Sequence, residues 1–217
     1  PEIVHLQTAT RSSVPLNQLM LDYLLLPARE GKVTREVLVA SIAKQTHNQA
    51  VKTFQSIGLE VTATGISSIN NAVWVTHCKP AVMDGPALIV NLVGTNLELT
   101  LVHQRQILFT SSSTLSSIEP AIVDQTIHTE INRFLLSRSS QLGGDKISQI
   151  VLIGGREECA ALLVERLQCA VEVINPLQQE HFSQEPSEEL ASPGVLAGPL
   201  GILYSLQQKQ LEIVNFL

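Results

Sequence analysis

At 217 residues, with 44% hydrophobic and 16% charged side chains, the chain is too apolar and too weakly charged to be disordered, and long enough for one large domain or two small ones. Its net charge of −6, without a Lys/Arg cluster longer than a residue or two, argues against nucleic acid as a partner, and an aromatic content of 4% argues against a stacking platform for bases or sugars. The apolar runs, such as 87–90 and 151–153, are strand-sized and fall far short of the roughly 18–20 residues that span a bilayer, and no secretory leader pattern opens the chain, so the expected compartment is the cytosol.

In chain order, Ile3-Val4-His5-Leu6 reads as a strand that begins almost at once after Pro1, which suggests a piece cut from a longer protein. Residues 19–26 read as a strand, 27–32 as a turn, and 36–42 as a strand rich in β-branched residues. Thr46 is placed to cap a helix running to about Ile57, with Ala50, Val51, Phe54 and Ile57 on its apolar face and Gly58 as the C-terminal cap. A strand over 59–64 follows, then a helix over 67–75 carrying the single tryptophan, Trp74. The stretch 77–86, with Lys79, Pro80, Asp84, Gly85 and Pro86, marks the expected domain boundary, dividing the chain into 1–80 and 87–217.

After that boundary the pattern changes. Residues 87–93 form a buried-type strand and Gly94-Thr95-Asn96 a tight turn. Leu97, Leu99 and Leu101 then alternate with Glu98, Thr100 and Val102 in a strand expected to be half-buried, and a third strand covers 106–110. The Ser/Thr-rich 111–117 reads as a loop, 118–137 as the longest helix (Ile127, Ile131, Phe134 and Leu135 on one face), and 141–145 as a loop. A strand over 149–153 ends in Gly154-Gly155, a helix covers 156–167 and a strand 171–174. The Glu-rich 178–192 is expected to be a mobile loop, 198–206 a helix and 211–216 a closing strand. Alternating strands and helices indicate an α/β fold.

Few residues point to chemistry. The six histidines are scattered without HExxH or HxH spacing and read as surface or packing residues, so no metal site is expected. Cys78, Cys159 and Cys169 are odd in number, have no CxxC spacing and read as small hydrophobes rather than nucleophiles. The serines at 111–113 stand in no GxSxG context. Gly154-Gly155, between a strand and a helix, admits two readings: a turn that needs glycine for its own shape, or a place where a ligand approaches the backbone N–H groups of a helix start.

Taken in order, these segments resemble the PilM family of pilus assembly proteins, which are actin-like and related to the cell-division protein FtsA. SVPLNQLMLDYLLLP (13–27) looks like that family's PFxxxxxxxDYxxL segment, and EVLVASIAKQTHNQAVKTFQSIGLEVTATGISSINNAV (36–73) like its strand, glycine-terminated helix and return to the first domain. ALIVNLVGTNLELTLVHQRQILFTSS looks like the hairpin that opens the second domain, QIVLIGGREECAALLVERLQCAVEVINPL like the strand, double-glycine turn and helix, and VLAGPLGILYSL with EIVNFL like the closing helix and strand. The resemblance implies an actin-like (RNase H-like) two-lobe α/β fold, its first lobe incomplete and its lid subdomain absent, because 111–117 passes almost directly to the long helix.

The departures bear on function. Where the family's hairpin carries Asp-x-Gly for the metal and phosphate, this chain has Asn91-Leu92-Val93, losing a carboxylate that a hard cation prefers and adding a β-branched side chain where backbone must come close. Gly94 substitutes only by a one-residue shift. Gly154 and Gly155 persist on the adenosine side, but Glu157 and Glu158 follow, and acidic side chains at a helix start oppose a bound polyphosphate. Gly154, Gly155, Asn91 and Gly94 are therefore expected to be remnants of a nucleotide site. The family's first phosphate loop would lie upstream of Pro1. The expectation is a non-catalytic cytoplasmic scaffold without a cofactor, binding ATP weakly if at all. Its partner would be the cytoplasmic tail of an inner-membrane pilus assembly protein, with a secretion-system setting of the GspL type as an equal home. The alternative is an ATP-binding actin-like ATPase completed by an N-terminal segment.

Overall fold

A computed structural model describes residues 2–26, 35–104, 106–138, 142, 145–179, 193–208 and 216. The chain forms two compact units, Pro1–Ile66 with Gln210–Leu217, and Ser67–Lys209. This division falls ahead of the expected boundary at 77–86, because the helix that opens the second unit is buried in it.

In the first unit, residues 3–6 are not a strand. They lie in helix α1 (Glu2–Arg11), where Ile3 and Leu6 sit one turn apart and Thr8 and Thr10 hydroxyls donate back to the Val4 and Gln7 carbonyls. Strands β1 (Leu19–Leu25) and β2 (Val37–Ala43) pair antiparallel, from Leu19 opposite Ala43 to Leu25 opposite Val37. Leu19, Leu24, Leu38 and Ala40 are buried. The turn expected over 27–32 lies outside the described residues.

Helix α2 (Lys44–Ser56) starts directly from β2, with Ala43 at the N-cap position and no capping side-chain bond, so Thr46 sits inside the helix and does not cap it. Its end matches the expectation. Gly58 takes φ +79, its N–H bonds the Gln55 carbonyl, and Leu59 N–H bonds the Phe54 carbonyl, the paired bonds of a Schellman ending. The expected apolar face is not a core face. Phe54 is 49% exposed and Ile57 68%, and His47 alone is buried in this helix. Residues 59–64 belong to no ladder among the described residues, although the Thr64 carbonyl accepts from Phe216 N–H. Apart from Phe216, the expected strand over 211–216 lies outside the described residues.

The second unit holds a five-stranded sheet of β3 (Ala87–Val93), β4 (Asn96–His103), β5 (Gln106–Thr114), β6 (Gln149–Ile153) and β7 (Ala170–Ile174), in the order β5-β4-β3-β6-β7. The first three form an antiparallel meander, and β6 and β7 extend it in parallel. Two sequence readings change. Strand β4 is buried on both faces rather than half-buried, Glu98 and Thr100 included, because helices cover both sides of the sheet. Residues 111–114 are not loop: they continue β5 in register with β4. Residues 115–119 alone join β5 to helix α4 (Pro120–Arg138).

One face of the sheet presents Leu88, Val90, Leu99, Leu101, Ile150 and Leu152 to α4 and to α5 (Glu157–Leu167), whose Ile127, Ile131, Phe134 and Leu163 complete the main core. The other face is covered by α3 (Ser67–Cys78), buried from Ser68 through Val75, and α7 (Ala197–Gln208) packs on α3 as an outer layer. The two helices meet at backbone distance: a methyl group at Gly201 would stand 1.8 Å from the Asn70 carbonyl oxygen. His77 and Tyr204 stack at 3.6 Å between ring centres. A short helix α6 (Pro176–Gln179) follows β7, and the rest of the expected loop, 180–192, lies outside the described residues. Among the described residues no helix is long and apolar enough to cross a membrane.

Candidate functional site

In an open sheet of this kind a ligand crevice opens outside the carboxyl ends of neighbouring parallel strands whose connections run in opposite directions. Here those strands are β3, which turns back into β4, and β6, which leads through α5 to β7. Asn91 stands near the end of β3, opposite Ile153 at the end of β6. Gly154 follows in the left-handed region, φ +61, with its N–H on the Ile174 carbonyl at 2.7 Å.

Beneath that crevice lies a buried polar cluster. Asn91 pairs across the hairpin with Glu98, whose side chain is 7% exposed. Glu98 Oε2 accepts three hydrogen bonds: from Asn71 Nδ2 at 2.7 Å, Ser67 Oγ at 3.0 Å and Asn91 Nδ2 at 3.3 Å. Ser67 and Asn71 are one turn apart on α3, so the helix places both donors on one face. All three donors are neutral. Thr100, next inward on β4, donates to the Ser68 carbonyl at 3.0 Å.

The crevice itself is filled by the chain's own turn at Pro193–Leu196. Asn91 Nδ2 also donates to the Gly194 carbonyl at 3.3 Å. A methyl group at Gly194 would stand 2.4 Å from Asn91 Oδ1 and 3.0 Å from the Leu92 carbonyl, and one at Gly154 would stand 2.9 Å from Gly194 N. Gly194 is thus wedged between the ends of β3 and β6. Among the described residues Asn91 Oδ1 and Asn71 Oδ1 are buried without a hydrogen-bond partner, the first beside Gly194 and the second beside Gly198 of α7.

Of the four residues expected from the sequence, the structure brings Asn91 and Gly154 together through Gly194. Gly155 packs on its own strand, where a methyl group would meet Leu152 at 2.2 Å. Gly94 sits at the exposed hairpin tip with φ +59 and open space around it, away from the crevice floor. Sequence reasoning missed Glu98, Asn71, Ser67 and Gly194. Alternation places Glu98 on a solvent face, and the remaining signal is the adjacent pair Asn70-Asn71 ahead of the apolar run 72–75.

At the crevice Asn91 presents its amide N–H to the Gly194 carbonyl and its side-chain oxygen beside it, and Gly194 occupies the approach to the strand ends. At α5, Arg156 turns away: its guanidinium bonds Asp124 on α4 and the Pro120 carbonyl at 3.3 Å. The Asp124 hydrogen bond holds the Arg156 pKa above its ordinary value. Glu157 and Glu158 occupy the first turn of that helix. Among the described residues no three His, Cys, Asp or Glu side chains gather to hold a metal.

Cys159, one turn into α5, is buried, and burial, reinforced by Asp124, pushes its thiol up to about 12. The thiolate is the reactive form, so Cys159 is inert at neutral pH. Iodoacetamide at pH 7.5 followed by peptide mass mapping should leave Cys159 unmodified in the native protein and label it after denaturation. Labelling in the native state at the denatured rate would show that α5 does not bury it.

No family model and no curated protein matches the chain. Solved structures do. A chain of a PilM–PilN type IV pilus biogenesis complex is similar with a TM-score of 0.72 at 17% identity, over 94% of this chain and 71% of that one. The fold is the actin-like (RNase H-like) one. A Bacteroides thetaiotaomicron protein with an actin-like ATPase fold and unknown function has a TM-score of 0.47 at 15% identity, over 81% of this chain and 61% of its own. The ethanolamine utilization protein EutJ from Carboxydothermus hydrogenoformans has a TM-score of 0.42 at 12% identity, over 81% and 62%.

Proposed function

We propose that this chain is a non-catalytic scaffold of an inner-membrane pilus or secretion assembly, cytoplasmic or held at the inner membrane through a partner whose cytoplasmic tail it docks. The observation that carries the reading is the wedge of Gly194 between the ends of β3 and β6, over Asn91 and the buried carboxylate of Glu98. A phosphate placed there would have to displace Gly194 and would meet the Asn91 side-chain oxygen beside the buried Glu98 carboxylate. The setting is supported by the shared fold with a chain of the PilM–PilN complex. The exposed Phe54 and Ile57 on α2 are an apolar surface of the kind partner segments use.

Calorimetric titration of the full-length protein with ATP·Mg²⁺ should give no micromolar binding. Asn91→Asp with Val93→Gly should leave that result unchanged, because Gly194 and Glu98 remain in place. In parallel, pull-downs with the cytoplasmic tails of membrane proteins encoded beside it should retain one tail. Micromolar ATP binding by the unmodified protein would return the alternative, an actin-like ATPase. Retention of no tail would remove the scaffold.

A further inference from the structure

The turn that fills the crevice leaves one buried polar atom of its floor unanswered. Asn91 is 1% exposed, and its side-chain oxygen, beside Gly194, has no hydrogen-bond partner among the described residues. Turning the Asn91 amide over gives no relief, since its oxygen would then face the Glu98 carboxylate and the Gly194 carbonyl, both acceptors. Glu98 is buried with neutral donors only, and no cationic side chain pairs with it among the described residues. Asn91 holds Gly194 by a single hydrogen bond of 3.3 Å, and Val195 beside it is exposed.

From this arrangement we propose that the crevice is a site for a guanidinium group, which enters as the Pro193–Leu196 turn lifts and binds over Glu98 and Asn91. The inference deepens the reading above and rests on it: an unanswered amide oxygen beside a buried carboxylate selects a cation rich in donors. A guanidinium brings five N–H donors in a flat fork, one positive charge and no acceptor. It pairs with Glu98 and supplies Asn91 Oδ1 with the donor it lacks. The seated turn acts as the stand-in occupant, and glycine at 194 is what lets it close, since any side chain there meets Asn91 Oδ1. The guanidinium comes either from a small soluble cation or from an arginine side chain of a docked protein.

Thermal unfolding of the full chain, followed by circular dichroism, separates these. The probes are agmatine, the blocked peptide acetyl-Gly-Arg-Gly-amide, and inorganic phosphate. Agmatine at ten times its dissociation constant should raise the midpoint by about 3–6 °C for a chain of this size. Phosphate should not raise it. A shift with agmatine indicates the small cation, and a shift with the peptide alone indicates a partner's arginine. Glu98→Gln, which keeps the side chain's shape, should abolish the shift. Gly194→Ala should tighten agmatine or peptide binding by about tenfold, because less of the population is self-closed. No shift with either cationic probe, or an equal shift in Glu98→Gln, overturns the proposal whether or not the Gly194 variant folds. Neither result touches the ATP titration, so this site and the scaffold reading fail separately.

Discussion

Trp74→Ala should destabilise the second unit by about 3–5 kcal/mol. The side chain is fully buried at the middle of α3, which lies between the sheet and α7. The cost of such a truncation depends on how far the surroundings collapse into the space, and here they are held apart. Gly201 already lies against the Asn70 backbone, so α7 has no room to move closer there. For a unit of this size the loss corresponds to a fall in midpoint of roughly 6–20 °C. Trp74 is the single tryptophan, so the measurement needs far-UV circular dichroism rather than intrinsic fluorescence. Phe54→Ala on the exposed face of α2 is the control and should change stability by no more than about 0.5 kcal/mol. A loss below about 1 kcal/mol for Trp74→Ala would mean that α3 is not packed between two layers.

Much of the second unit was legible in the sequence because its signals are local and strong. Ala87–Val93 and Gln149–Ile153 are apolar runs of strand length, Gly94 sits where the hairpin needs a positive φ, and Ile127, Ile131 and Phe134 keep helical spacing along α4. Errors arose where tertiary packing overrides pattern. Alternation in β4 suggested one wet face, but α3 covers that face, so Glu98 and Thr100 are buried. The serines at 111–113 looked like loop because hydroxyl residues favour turns, yet pairing with β4 holds them in β5. Thr46 looked like a cap, but the helix begins directly at the end of β2.

The candidate site was half legible for a related reason. Gly154 is marked by its place between a strand and a helix, and Asn91 by the resemblance to the PilM family's hairpin. Glu98, Ser67 and Gly194 are distant in sequence and meet only because the strand order puts β3 between β4 and β6 and the turn before α7 returns over them. Sequence spacing carries no trace of that convergence. The same topology that gives the fold its ligand crevice supplies the segment that closes it. Helix α3 covers Glu98, and among the described residues the neutral donors of Asn71, Ser67 and Asn91 replace its hydration.

That dependence makes Asn71→Leu the second large effect. Asn71 supplies the shortest of the three bonds to Glu98 Oε2, and leucine matches its length without a donor. Removing a donor from a buried carboxylate should cost about 2–3 kcal/mol, because the carboxylate's desolvation then goes unanswered. If that is the cause, removing the carboxylate as well should recover stability. Glu98→Met in the Asn71→Leu background should bring the double variant at least 1 kcal/mol above the sum of the two single losses, a coupling within the usual range for residues in one network, ~0.5–3 kcal/mol. Urea unfolding midpoints at constant slope measure all four corners of the cycle. Additivity within about 0.5 kcal/mol would mean that Asn71 contributes by packing against α7 alone. A coupling of the expected sign would fix the Asn71–Glu98 bond as one of the ties between α3 and the sheet, beside Ser67–Glu98 and Thr100–Ser68, and with it the position of the buried carboxylate on which the guanidinium site depends.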